Sequence, residues 1–428
     1  MRDMVCSLLI EPGRDIVTQN EARKLRTVAP MNMPLANSDT CFSADTATVG
    51  KLRLRLFTDL EAIKLTWMAL ENSGVSTVYQ SFEWCQIWLR RVGQPRNISP
   101  CIVIAEDVFG NVMFVLPLQL RHKFTMRIIE SLTAPQGAYG FGLFNRAFLS
   151  GQAAAWFESH FSDVVSVLPK HDVLHLSDIP HSMQGHASPL LSVQCFLAAN
   201  HSHIMNLQPD YNALLEEKRS PESRRSMRKR DTKLQSSGRL TFELPHASAE
   251  KKATIEIMLA HQKARLAEVG VHGVFDALEQ QFITDLIQAE TPEGPLVRPY
   301  RLMLDGIILA VMLGAYRHGT YWALISSLAE GELRKYSPGD YALRAMFKSL
   351  CEDGTTRLDF SAGDTAYKSN WSDHRFQLYF IVRATSFRGL PFAIGLLLRE
   401  KIKRIAKTTP VLNTLLFDLR RLLRGQKV

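Results

Sequence analysis

The stretch LDFSAGDTAYKSNW, Leu358 to Trp371, holds two carboxylates, a phenol and an ammonium group between Asp359 and Lys368. The alternation of Leu358, Asp359 and Phe360 predicts a strand end, with Asp364, Tyr367 and Lys368 on the loop beyond it. A carboxylate such as Asp364 can take a proton, and an ammonium group such as Lys368 can stabilise a developing negative charge. Asp359 faces either a polar cavity or solvent. The competing reading makes Asp364 and Lys368 an exposed i,i+4 pair, worth about 0.2–0.5 kcal/mol.

A second candidate lies just upstream in LRKYSPGDYALRAMFKSL, Leu333 to Leu350. Ser337 reads as a helix N-cap, Pro338 takes the first helical position, and Asp340 follows Ser337 at capping-box spacing. Leu343, Met346, Phe347 and Leu350 recur at helical spacing and predict one buried face. The unbonded amides and positive dipole end of such a helix attract phosphate. Arg334 or Lys335 could add charge, and Gly339 would let a ligand approach the backbone. Pro338 removes one donor, and Asp340 opposes an anion unless its carboxylate makes the capping bond. An ordinary capped helix is the alternative.

The basic run EEKRSPESRRSMRKRDTKL, Glu216 to Leu234, begins a helix at Ser220–Pro221 and puts Arg224 and Arg228 on one face. It reads either as a solvated face laced with i,i+4 pairs or as a wall for an anionic acceptor, a nucleotide-sugar or acidic glycan. No aromatic residues interleave it, which argues against nucleic acid. LTAPQGAYGFGLF places Gln136 and Tyr139 after a strand, as one wall of a site or as a plain turn. Trp84 and Trp88, four apart, read as core. No His stands at metal-ligand spacing or pairs with Ser or Cys in a nucleophile motif, so the sequence predicts no metal and no covalent enzyme intermediate.

These groups need a scaffold, and 428 residues with 46% hydrophobic content allow two or three packed domains. The six cysteines are scattered without a CxxC, which suits a reducing cytoplasm. Residues 387–428 hold ten Lys/Arg and two acidic residues, so nearly all of the net charge of +9 belongs to that tail. The longest apolar run, Leu390 to Leu398, stops at Arg399, short of the ~20 residues a bilayer requires. Residues 1–50 lack periodicity and read as a mobile leader. From Leu52 the pattern gives strand, two helices, a hairpin around Asp107–Asn111, and strands at MRIIESL and HDVLHLSDI with a helix between. After Leu207 the order recurs: helices, a meander with turns at Asp305–Gly306 and His318–Gly319, the capped helix, then closing strands. This predicts two related α+β units, 51–206 and 207–386, followed by the tail. The tail reads as cationic amphipathic helix, either lying on anionic lipid or packed on the second unit.

The order of meander, RKYSPGDYALRAMFKSL and LDFSAGDTAYKSNW resembles the GNAT acyltransferase fold. More specifically it resembles the CelD/BcsL family, tandem GNAT-like proteins associated with cellulose and other exopolysaccharide synthesis. SFEWCQIWLRRVG and VIAEDVFGNVMFVLPLQL carry the resemblance into the first half. LDFSAGDTAYK is also similar to a phrase of the FemABX aminoacyltransferases, in which a strand is followed by an aromatic–Lys pair.

The resemblance implies two GNAT-like domains in tandem, each a mixed, mostly antiparallel sheet flanked by helices. It implies acetyl-CoA as cosubstrate, its pyrophosphate met by Arg334, Lys335, Tyr336, Ser337 and Gly339. It puts Lys368, Asp364, Tyr367 and Asp359 at the reaction centre, with Tyr367 able to reprotonate the CoA thiolate. Arg224, Arg228, Gln136 and Tyr139 would border a sugar or glycan acceptor. Polysaccharide synthase components would be partners, and the location would be the cytoplasm, at the inner face of the membrane. The family's Arg/Gln-x-x-Gly-x-Gly/Ala pattern is broken here, and Ala138 stands where relatives carry Asp before the Tyr. A binding or assembly scaffold and FemABX-like aminoacyl transfer therefore stand as alternatives.

Overall fold

Wherever apolar residues alternate, the chain extends into strands. The structure, a computed structural model, describes residues 46–49, 51–268 and 275–408; most of the expected leader and residues 409–428 of the tail lie outside the described residues. The first half supplies β1 (Thr46–Val49), β2 (Leu52–Phe57), β3 (Ser99–Glu106), β4 (Val112–Lys123), β5 (Met126–Ser131), β6 (Val173–Pro180) and β7 (Phe196–Asn206). The second supplies β8 (Leu240–Glu243), β9 (Val297–Leu304), β10 (Ile307–Arg317), β11 (Thr320–Leu328), β12 (Arg357–Ala362) and β13 (His374–Ala384). All lie in one sheet, in the order β1-β2-β3-β4-β5-β6-β13-β7-β12-β11-β10-β9-β8. The end of the expected leader is thus a strand, Thr46–Val49 pairing with Leu52–Arg55.

The order reads nearly the same from both edges. Antiparallel strands lead inward on each side to one parallel pair, β5 with β6 and β11 with β12. Between those pairs the halves exchange strands: β13 pairs with β6, and β7 pairs with β12 and with β13. Nothing in FLAANHSHIMN announced β7, because Asn200, His201, Ser202 and His203 break the apolar alternation that marks a strand.

Helices cover the sheet: α1 (Lys64–Ser73), α2 (Phe82–Trp88), α3 (Arg146–Gly151), α4 (Ala153–Ser166), α5 (Tyr211–Lys218), α6 (Pro221–Gln235), α7 (Ser248–Glu268), α8 (Ala277–Leu286), α9 (Pro338–Glu352), α10 (Ala366–Trp371) and α11 (Gly389–Thr408). One hydrophobic core runs across both halves, and Trp84 of α2 meets Phe282 of α8 edge to face at 5.4 Å. A second core forms under α9, whose Leu343, Met346, Phe347 and Leu350 bury against Met227 and Leu234 of α6 and Trp371 of α10. The first part of the basic tail, α11, packs on β6, β7 and β13.

A buried ion pair also joins the halves. Arg317, at the end of β10, approaches Glu71 of α1 at 2.9 Å and donates to Asn72 at 3.1 Å. Burial pushes the Glu71 carboxyl up to about 7 despite the arginine beside it. Removing one member leaves the other charge buried and unpaired. Arg317→Met is therefore expected to cost about 3–5 kcal/mol in a urea melt; a loss near zero would show that this pair does not hold the joint.

Candidate active site

Parallel strands β11 and β12 pair only from Thr320–Trp322 to Arg357–Asp359. Beyond that rung they part company. β11 continues against β10 as far as Leu328, while β12 turns its other edge to β7, through a bulge between Ser202 and Ile204. The result is a wedge whose facing backbone edges carry no ladder, a place where an extended ligand can take hydrogen bonds.

Asp359 sits at the apex and is 1% exposed. Its Oδ1 accepts the Tyr139 hydroxyl at 2.8 Å and the Ser361 amide at 2.7 Å, which leaves Oδ2 to receive a proton. Ser361 has a left-handed backbone (φ 60°), an uncommon conformation for a side-chain-bearing residue. Its hydroxyl donates across the wedge to the Ala323 carbonyl at 2.8 Å. With that proton committed, the 2.7 Å contact between Tyr79 and Ser361 has the phenol as donor. The rings of Tyr79, Tyr139 and Trp322 stand edge to face at 5.8–6.0 Å and wall the apex. Both tyrosines come from the first half. Tyr139 is a candidate from the sequence; Tyr79 is marked by no motif, and Ser361 stands within LDFSAGDTAYK without a role legible from the sequence.

Burial pushes the Asp359 carboxyl up to about 6, even with the Tyr139 bond, the Ser361 amide and the Lys368 charge opposing it. Burial likewise drives the Tyr139 phenol far above its usual value, helped by the Asp359 charge, so Tyr139 stays a donor. Lys368 lies on α10, 5% exposed, and its Nζ donates to the Ala362 carbonyl at 3.2 Å. Tyr367 packs edge-on against Phe360.

Asp364 is a different kind of carboxylate. His201 approaches it at 3.1 Å, His203 at 3.2 Å, Arg375 at 3.3 Å and Lys407 of α11 at 3.0 Å. Burial alone would raise its pKa, but the imidazole hydrogen bonds and the Lys407 charge outweigh that and hold it far below the carboxylate range. Such a group is a poor proton acceptor. The expected exposed Asp364–Lys368 pair does not form either, since Lys368 is buried and turned to Ala362.

At the far end of the wedge, a 3-10 turn (Glu332–Tyr336) leads from β11 into α9. Ser337 is not the expected cap: its backbone is left-handed (φ 55°, ψ 55°) and its side chain makes no capping bond. Asp340 does not close a capping box, because its carboxylate takes Arg344 at 3.1 Å. Arg344 also grips Asp231 of α6 through two bonds of 2.6 and 3.0 Å. With Arg344 as counter-ion, Asp340 no longer opposes an anion at the helix start. A side chain at Gly339 would meet nothing nearer than the Leu328 methyls, 3.8 Å away, so open space lies over the first turn. Arg334 donates to the Ala329 carbonyl at 3.2 Å, and Lys335 pairs with Glu332 at 3.3 Å across the exposed turn, close to the Tyr336 ring.

The remaining sequence candidates divide. Helix α6 packs on the 332–336 turn and brings Arg230 within 3.9 Å of Asp340; Arg224 pairs with Glu216, and Arg228 is exposed. Gln136 is elsewhere, accepting from Trp88 at 2.9 Å and donating to Glu279 at 2.8 Å in a network that also takes in Arg96. Among the described residues no group of His, Cys, Asp and Glu could hold a metal ion.

Residues 221–369 match the family described as Acetyltransferase (GNAT) domain. That span runs from α6 to α10 and includes Gly339, Asp359 and Lys368. No curated protein matches the chain. Among solved structures, FemX is similar over 74% of this chain and 94% of its own at 12% identity, with a TM-score of 0.52. L-PGS from Bacillus licheniformis (11% identity, 79% of this chain and 96% of that one, TM-score 0.45) is also similar. So is a tandem GNAT protein from the clavulanic acid biosynthesis pathway (11% identity, 78% and 99%, TM-score 0.43). At such identity the likeness to FemX is one of fold. Residues 221–369 therefore carry the GNAT domain, and the enzyme class of that domain is the acyl-CoA-dependent transferases.

A carboxyl poised near 6 by opposing forces responds to the loss of either. Tyr139→Phe removes a hydrogen bond to a charged group, worth about 1.5–3 kcal/mol, and moves the Asp359 titration up by about 1–2 pH units. Carboxyl-carbon NMR, with Asp359→Asn to assign the signal, reads this directly. An unmoved titration would break the link between the two residues.

Proposed function

We propose that the protein transfers an acetyl group from acetyl-CoA to a hydroxyl or amine of a sugar or glycan precursor, in exopolysaccharide synthesis of the cellulose type. The observation that carries the transfer is the unladdered wedge with a raised-pKa carboxylate at its apex. The open first turn of α9, with Arg334 and Lys335 before it and Arg230 of α6 near Asp340, suits the pyrophosphate of the cosubstrate. Bound there, the cosubstrate supplies an acyl thioester. Asp359 Oδ2 takes the proton from the attacking hydroxyl or amine as its bond to the acyl carbon forms and the C–S bond breaks. Lys368 stabilises the negative charge on the acyl oxygen, and Tyr367 is the donor for the leaving sulfur. Tyr139 and Ser361 position the base. Asp364 belongs to the ion-pair hub that fixes the loop between β12 and α10.

The sugar acceptor and the polysaccharide setting rest on the resemblance of KYSPG and LDFSAGDTAYK to the CelD/BcsL family. Aminoacyl transfer from tRNA would call for a cationic body, whereas the positive charge is concentrated in residues 387–428.

Calorimetry with acetyl-CoA tests the donor site. Wild type and Gly339→Ala are expected to bind alike, since the space over Gly339 admits a methyl group, while Gly339→Glu weakens binding at least ~tenfold by placing a carboxylate beside the pyrophosphate. Equal binding by the glutamate variant, or none by the wild type, would remove the proposal. Asp359→Asn is expected to bind acetyl-CoA normally and to release no thiol with any amino-sugar or sugar-nucleotide acceptor. Wild-type turnover should fall as pH drops through about 6, because protonation silences the base.

A further inference from the structure

Helix α11 is apolar on two opposite faces. One faces the sheet: Ala393 and Leu396 are buried, and Glu400 turns the same way, accepting the Ala199 amide at 3.1 Å and pairing with Arg399 and Lys403. The other faces outward. Leu390, Ile394, Leu398, Ile402 and Ile405 are 44–54% exposed, and Phe387 just ahead of the helix is 97% exposed. At 3.6 residues per turn these five fall within an arc of about 120° and run about 22 Å along the axis. Arg404 borders this arc on one side and Arg399 on the other, and Arg388 precedes the helix. Lys401 falls within the arc, between the directions of Leu390 and Ile394, its long stem able to reach the headgroups. The helix has one acidic residue, Glu400, and it points inward.

We propose that the outer face of α11 docks on an anionic lipid bilayer, with the helix lying flat among the headgroups. The apolar row enters the acyl boundary while the neighbouring cations meet lipid phosphate. Charge selects this occupant over two others. A second copy would bring the same unbalanced cations together. Residues 409–428 carry four more Lys/Arg and one acid, Asp418, so their folding back would also set like charges side by side. Among the described residues no helix is long and apolar enough to cross a membrane.

Co-sedimentation of the full chain with vesicles decides. It should pellet with phosphatidylcholine–phosphatidylglycerol vesicles, release as salt rises, and stay in solution with phosphatidylcholine alone. The double substitution Ile394→Glu, Leu398→Glu should cut the partition coefficient at least ~tenfold with an unchanged thermal melt, since both side chains are exposed. Equal pelleting by wild type and variant overturns the proposal. So does pelleting by a chain ending at Thr408 but not by the full chain, which would make residues 409–428 the cover. A dimer in vesicle-free sedimentation that the same substitutions dissolve would make it a second copy, and would overturn it too.

Discussion

The exchange of the last strand of each half holds this molecule together. β7 leaves the first half to lie against β12 of the second, and β13 returns to lie against β6 of the first. Each parallel pair is thereby closed on one side by a strand from the other half and splays on the other. The bulge between Ser202 and Ile204 lets β12 follow β7 away from β11. Asp359 and Ser361 sit where that divergence begins, and the tyrosines that bond them, Tyr139 and Tyr79, arrive from the other half.

Two aspartates five residues apart show how environment divides labour. Asp359 is dry and has few donors, so desolvation wins and the carboxyl is poised to exchange protons. Asp364 is ringed by two histidines, a lysine and an arginine, so its charge is fixed and it serves as an anchor. The equivalent wedge of the first half is built otherwise. There Glu130 is gripped by Arg121 at 2.6 and 2.9 Å and by Gln119 at 2.8 Å, a closed knot with its carboxylate fully engaged.

Much of this could be read from residue order alone. The meander, the hairpins, α7, α9 and the buried face of α9 follow from apolar period and turn residues, which are local signals. The strand end at Asp359 and the polar segment that carries Lys368 were legible because a strand end followed by polar residues is also local, but whether Asp359 faces a cavity or solvent was not. What could not be read depends on partners far away in the chain. Asp364 looks like a free carboxylate until His201, His203 and Lys407 are brought to it. Ser337 looks like a cap because its left-handed backbone leaves no mark in sequence. β7 hid because its polar residues serve the ion-pair hub as much as the sheet, and the bonds of Gln136 to Trp88 and Glu279 could not be read because both partners lie in helices elsewhere in the chain.

The exchanged strands also govern when the protein can exist during its own synthesis. The first half cannot complete its sheet when its last residue leaves the ribosome, because the neighbour that β6 needs, β13, ends at Ala384. Until then the inner edges of β6 and β7 are unpaired, and such edges invite pairing with other chains. A chain that stops before His374 lacks the strand that both of these edges pair with.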